Sequence, residues 1–346
     1  MIRNDELSAL LRQQAAAERD HRRRALERAS RAALFWPEEA SALAEAGRSL
    51  TELPAVGPWV AERITALLEE PPSASEPDEL RRDFLTIARA REVLAAHPGW
   101  TDGIRADLQM HTTHSDGTLP VAEMLDAASA YGYEYVAITD HSKSLTVAGG
   151  MDEEELAAEG EEIDAINAEG GRPRALKSIE MDVFEDGSAD MDPAAIRRLD
   201  LVLGAFHTKL RERADRTERY LAALRNPDVH VLAHPRTRKY GRRPGLVADW
   251  PAVFAEAKRL GKAVEIDASP DRQDLNVELL RLAAEAGVRI SIGTDAHHPV
   301  ELGFVELGLA AAALAGISRD CVLNFAPVED VLAWTESLRE RAPAAS

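Results

Sequence analysis

Six short apolar runs in this chain each end on a histidine or an acid. They lead into Gln109-Met110-His111-Thr112-Thr113-His114-Ser115-Asp116-Gly117, Asp140-His141, Glu180, His207, His234 and Asp295-Ala296-His297. One such residue carries little information. Six in one chain need a common compensation, because buried imidazole and carboxylate groups are costly when unpaired. Divalent cations supply it. Neutral imidazole combined with carboxylate suits Zn(II), Mn(II) or Fe(II) better than Mg(II) alone. The ligand-type residues outnumber what one tetrahedral ion uses, so two or three ions are expected. The single cysteine, Cys321, excludes an intrachain disulfide and makes thiolate ligation improbable.

A multi-metal site without a cysteine nucleophile or a serine elbow points to metal-assisted hydrolysis. Two ions ~3.5–4 Å apart lower the pKa of a shared water, and the resulting hydroxide attacks in line at phosphorus. Glu180 is the natural bridge, because each carboxylate oxygen can face a different ion. Lys209 and Arg236 follow closely on His207 and His234, where they are expected to clamp a phosphate. His114 and His298 adjoin the motifs and are expected to be supporting or surface residues.

These side chains need a scaffold that brings strand ends together. From Arg105 onward, apolar strands are expected at Arg105–Met110, Glu134–Thr139, Arg174–Ile179, Leu199–Phe206, His230–Ala233, Ala263–Ile266 and Val288–Gly293. Amphipathic helices are expected at Leu119–Tyr131, Asp152–Glu169, Asp215–Arg225, Pro251–Leu260 and Asn276–Ala286. Such alternation implies βα units and a parallel sheet. Seven units without a glycine-rich dinucleotide fingerprint favour a barrel, whose C-terminal strand ends converge on one face.

Residues 1–70 are rich in Ala, Leu, Arg and Glu and read as helices. The Pro- and Ser-containing stretch from Glu70 to Pro77 reads as linker, followed by a helix from Asp78 to Ala95 and a boundary near Gly103. The expected domains are therefore 1–70, 71–103 and 104–346. A net charge of −19 argues against general adhesion to nucleic acid, although bound cations would neutralise part of it. Between Arg12 and Arg31, however, Arg19, Arg22, Arg23, Arg24 and Arg28 stand against three acids. No apolar signal region or membrane-length run occurs, so a cytoplasmic protein is expected.

The series DLQMHTTHSDG, AITDH, SIE, GAFH, LAHP and GTDAH resembles the polymerase and histidinol phosphatase (PHP) family across about Ile104 to Arg339. The resemblance implies an α/β fold, a distorted seven-stranded βα (TIM-like) barrel, with a trinuclear metal site. It implies a first ion on His111 and Asp295, with Glu180 bridging to a second ion on His207 and His234. Asp116, His141 and His297 would hold a third. Glu180, His207 and Asp295 are the expected catalytic residues. Gln109 stands where the family usually has the first histidine of its HxH motif, and a weaker first ligand is expected there. Asp107 is expected to orient the motif.

The segment from Leu53 to Ile64 resembles a helix-hairpin-helix, with Val56, Gly57 and Trp59 as the expected DNA-contacting residues. Ala55 replaces the first glycine of that motif, and Pro58 removes a backbone donor. A small all-α helix-hairpin-helix domain joined to this barrel resembles a bacterial family X DNA polymerase lacking its palm. Such an arrangement implies a metal-dependent phosphoesterase with 3′-5′ exonuclease or 3′-end-processing activity in DNA repair. The alternative is a phosphatase acting on a small phosphomonoester such as histidinol phosphate or a nucleotide. A third reading is a non-catalytic barrel.

Overall fold

The computed structural model describes residues 2–72 and 78–341, and the chain separates into two compact units, Met1–Pro98 and Gly99–Ser346. Residues 73–77, most of the expected linker, lie outside the described residues.

The first unit is helical: α1 (Asn4–Ala17), α2 (Asp20–Ala32), α3 (Ala40–Glu45), α4 (Pro58–Glu69) and α5 (Ile87–Ala96). Leu7, Leu11, Leu26, Trp36, Leu43 and Ile64 are buried together in its core. The expected helix from Asp78 is shorter than its composition suggests. Thr86 caps α5 by accepting from the Arg89 amide, and Asp83 sits at φ 62°, where a helix cannot continue. The hairpin loop is held by the Trp36 indole, which donates to the Pro54 carbonyl at 2.9 Å. Ala55 has φ 64°, the left-handed conformation that glycine adopts without cost.

The second unit is the expected barrel. Seven parallel strands run in the order β1-β2-β3-β4-β5-β6-β7. They are β1 (Ala106–Met110), β2 (Tyr135–Ile138), β3 (Arg174–Asp182), β4 (Leu201–Ala205), β5 (Val231–Leu232), β6 (Ala263–Asp267) and β7 (Arg289–Gly293). Helices alternate with them: α6 (Val121–Ser129), α7 (Glu153–Glu169), α8 (Pro193–Ile196), α9 (Thr217–Arg225), α10 (Trp250–Leu260), α11 (Val277–Ala286), α12 (Val305–Ala315) and α13 (Val328–Arg341). Among the described residues, no helix is long and apolar enough to cross a membrane.

Side chains two apart on a strand share a face. On the inner face that periodicity sorts core from site. Leu176, Leu201, Leu203, Ala205 and Ala263 pack with Trp334 and Leu338 of α13. Further along the same strands, the same face carries Glu180 and Asp182 on β3, and Glu265 and Asp267 on β6. In β1 the pairing register shifts between Asp107 and Met110. Within and just past the shift, Gln109 and His111 reach the same centre as Glu180.

No regular ladder joins β1 to β7. Their seam is closed by three devices. The Asn324 amide donates to the carbonyls of Ala106 and Ile292 and accepts from the Ile292 N–H. Asp107 accepts from the backbone N–H and hydroxyl of Thr294. Two backbone bonds follow, Asp295 N–H to the Gln109 carbonyl and His111 N–H to that of Ala296.

Candidate metal centre

Glu180 sits at the middle of the strand-end residues, fully enclosed. Its Oε1 lies 2.7 Å from His234 Nε2 and 3.0 Å from His207 Nε2. Its Oε2 lies 3.0 Å from Gln109 Nε2, 3.4 Å from His111 Nε2 and 3.5 Å from His141 Nδ1. Asp295 Oδ1 is 3.1 Å from His111 Nε2. Asp116 Oδ1 is 3.1 Å from His297 Nε2 and 3.6 Å from His141 Nε2. The rings of His141 and His297 both stack against His111, with centroids 4.5 and 4.3 Å away, and lie 6.3 Å from each other.

Three groups have ligand atoms that lie within 4.8 Å of one another: His111, Asp116, His141 and His297; His141, Glu180 and His207; His111, Glu180 and Asp295. Seven of the nine residues expected to bind metal fall in these groups, and the other two, Gln109 and His234, contact Glu180. His141 also approaches the pair Glu180 and His207, which His234 is expected to join. His234 still meets Glu180 directly, with its backbone at φ 25°. Asp295 is likewise left-handed, at φ 55°. Two non-glycine residues in that region at one site indicate backbone strain held in place by the surrounding structure.

The donor set fits divalent cations. His207 Nε2 is close to Glu180 Oε1 yet lacks the alignment of a hydrogen bond, and the Nδ1 atoms of His111, His141 and His207 have no hydrogen-bond partner. Asp182 Oδ1 and Gln109 Oε1 are also buried without one. Lone pairs that crowd together without donors between them need a shared cation. His297 is already oriented, because its Nδ1 lies 2.8 Å from the Asp295 carbonyl, as a donor would, which directs Nε2 at Asp116.

The electrostatics agree. Burial alone would pull the His207 imidazole down, but Asp182 and Glu180 push it up to about 9. Burial dominates at His141 and lowers it to about 4. Burial opposes ionisation of Asp295, yet Arg272 and His111 hold its carboxyl below the usual carboxylate range. Glu180 is held low by the surrounding imidazoles despite its burial. The centre as a whole attracts positive charge.

Four participants were not picked out from the sequence. Asp182 lies 3.6 Å from His207 Nδ1. Glu265 accepts from the His234 backbone N–H at 2.6 Å. Arg272 places Nε 3.1 Å from Asp295 Oδ2 and 3.3 Å from Asp267 Oδ2. Burial pushes the carboxyls of Glu265 and Asp267 well up. The available signal was alternation: Asp182 is two residues beyond Glu180, and Glu265 and Asp267 are two apart on β6.

The remaining expected residues stand elsewhere. Lys209 is exposed and paired with Glu185, which also pairs with Arg216. Arg236 donates through Nη2 to the Pro244 carbonyl at 2.7 Å, while its Nε is buried without a partner. In the helical unit, Val56 belongs to the core and its N–H donates to the Leu53 carbonyl, so neither faces a ligand. Gly57 is exposed as the N-cap of α4, and Trp59 lies under the guanidiniums of Arg22 and Arg63. His114 Nε2 meets Glu162 at 2.8 Å, and His298 caps the turn at Pro299–Phe304.

The chain is 39% identical over 232 residues to the DNA polymerase/3'-5' exonuclease PolX of Bacillus subtilis (strain 168), a match covering 67% of this chain and 41% of that protein. It thus spans about two-fifths of that relative's length. It is 32% identical over 177 residues to a probable phosphatase of Thermoanaerobacter sp. (strain X514), covering 48% of this chain and 68% of the relative. A probable phosphatase of Acetivibrio thermocellus is 30% identical over 208 residues, covering 57% of this chain and 81% of the relative. No protein-family model matches the chain. With the seven-stranded barrel and its converging strand-end residues, these relatives establish that the chain belongs to the PHP family of metal-dependent phosphoesterases.

Proposed function

We propose that the chain removes nucleotides or blocking groups from DNA 3′ ends, as a repair phosphodiesterase without polymerase activity. The supporting observation is the 39% identity to a protein named as a polymerase and 3'-5' exonuclease. That match spans 232 residues, far more than the helical unit contains, so it runs deep into the barrel. The helical unit adds the exposed start of α4 and the arginine run of α2 as a surface for DNA phosphates.

In this reading His111, Glu180 and Asp295 would hold one divalent ion, with Gln109 as a weak fourth donor. His207 and His234 would share Glu180 for a second, and Asp116, His141 and His297 would hold a third. Bound Zn(II), Mn(II) or Fe(II) would acidify a water and neutralise charge on the phosphoryl oxygens. The surrounding residues position these donors. Asp182 lies beside the His207 ring, Glu265 fixes the His234 backbone, and Arg272 secures Asp295 through the oxygen that His111 does not use. Such supporting partners commonly govern metal affinity as strongly as the ligands do.

A second reading, a phosphatase for a small phosphomonoester, is favoured by the fuller coverage of the probable phosphatases and by the occupied Val56 N–H. The test is a Mn(II)-loaded activity panel of 3′-labelled oligonucleotides and phosphomonoesters. Stepwise loss of 3′ nucleotides, weakened by deleting residues 1–98, is expected. Turnover confined to free phosphomonoesters and indifferent to that deletion would select the second reading.

A further inference from the structure

The segments that follow β4 and β5, residues 207–216 and 235–249, contain nine Lys or Arg and three Asp or Glu, whereas the whole chain contains 41 and 60. The local excess of positive charge therefore runs against the composition of the molecule. The two segments are joined. The Arg216 N–H donates to the Val247 carbonyl and the Asp249 N–H to the Thr217 hydroxyl, both at 2.8 Å. A third segment, after β6, attaches where the Tyr240 N–H donates to the Asp271 carbonyl at 2.6 Å.

The inner guanidiniums build these loops. Arg238 Nε donates to the Arg272 carbonyl at 2.8 Å, and Arg243 Nε to the Thr237 carbonyl at 3.0 Å. Arg211, Arg213 and Arg242 are exposed residues of the same loops. Like charges are crowded here: burial, then neighbouring Arg272 and Arg211, draw the Arg243 guanidinium below its ordinary value. The rim is also continuous with the metal centre, because Lys239, Asp271 and Arg272 line one cleft with Asp295 and His297. Lys239 is paired there with Asp271 at 3.1 Å, whereas Arg211 and Arg242 are exposed guanidiniums of the adjoining loops.

We infer that this rim of the barrel holds backbone phosphates of a nucleic acid strand on either side of the phosphate being cut. A small phosphomonoester brings one phosphate, which the metal centre itself would take, and it leaves the rim cations unmatched. A polynucleotide brings a row of them, and guanidinium is suited to phosphate oxygens. The inference rests on the phosphodiester reading above and adds to it a second DNA-contacting surface, on the barrel.

The experiment is fluorescence anisotropy of the metal-loaded full chain with a labelled single-stranded oligodeoxynucleotide whose 3′ linkages are phosphorothioates that resist cutting. Arg211→Ala combined with Arg242→Ala is compared with Arg198→Ala combined with Arg281→Ala, an equal charge change at exposed positions elsewhere on the barrel. The first pair should weaken binding about tenfold and reduce the slope of log K against log salt by roughly 1.4, ~0.7 per lost phosphate contact. The second pair should bind like the wild type. Turnover of bis(p-nitrophenyl) phosphate should be unchanged in both. Equal effects of the two pairs, an unaltered salt slope, or no binding by the wild type would overturn the inference. So would loss of bis(p-nitrophenyl) phosphate turnover in the first pair alone. Salt-dependent binding sensitive to the first pair, with no cutting of an unmodified oligonucleotide, would instead retain the rim and refute the exonuclease reading.

Discussion

Arg272 Nε lies 3.1 Å from Oδ2 of Asp295, and His111 Nε2 lies 3.1 Å from Oδ1 of the same carboxylate. The carboxylate is thus fixed on one side by a guanidinium and presented to the centre on the other. Arg272→Met should leave Asp295 and Asp267 buried without their cation. A loss of about 3–5 kcal/mol in urea unfolding is expected. kcat/KM should fall about 10–100-fold as the ligand loses its orientation. Arg272→Lys should recover part of both. A variant with wild-type activity and stability would show that Asp295 does not depend on this pair.

Gln109→His tests the weak first position. An imidazole there replaces an amide that now donates through Nε2 to Glu180 at 3.0 Å. Divalent-ion affinity should rise about tenfold, with more metal retained after dialysis as read by elemental analysis. Unchanged metal content would mean that position 109 takes no part in binding.

Asn324→Ala should open the seam of the barrel. The substitution removes the partners of the Ala106 carbonyl and of both backbone groups of Ile292. Each buried group left unsatisfied costs about 1–3 kcal/mol, so a loss of at least about 3 kcal/mol is expected. Hydrogen exchange at the Ile292 amide should accelerate more than at β3. Protection that stays uniform would place the closure elsewhere.

His230 gives a pH dependence away from the metal centre. It is buried, its Nδ1 accepts from the Val202 N–H at 3.2 Å, and burial lowers it to about 3 from the ordinary 6.5. Between those values the unfolded chain binds the additional proton, so this residue's contribution to stability rises with pH and is lost as pH falls. The limiting slope is about 1.4 kcal/mol per pH unit. Replacing His230 by Asn should flatten that slope in urea unfolding from about pH 4 to pH 7. Parallel curves for the two proteins would refute the assignment.

Much of this architecture was legible in the sequence because strands buried on both faces leave short apolar runs that stop abruptly. All seven strands lie where those runs are, and the six ligand-bearing ends could be read directly. What escaped notice was the inner face beyond the first ligand. Glu265 and Asp267 alternate with Val264 and Ile266, so β6 reads as apolar although its inner side is acidic. Arg272 and Asn324 were invisible for another reason. Each acts on a residue distant in sequence, Arg272 on Asp295 and Asn324 on Ala106, and no local pattern announces such a pairing. In the helical unit, the glycine-poor hairpin hid the fact that Ala55 still adopts the glycine conformation.

The placement of Glu180 has a consequence for how the protein would acquire its cofactors. Both of its oxygens are already addressed, one by His207 and His234, which follow β4 and β5, and the other by Gln109 of β1 and His141, which follows β2. If Glu180 held an ion on each oxygen, as proposed, the two would not load independently, because the first would constrain the carboxylate that the second meets. Uptake should therefore be concerted, and partial chelation should yield a mixture of full and empty molecules rather than a uniform half-loaded population.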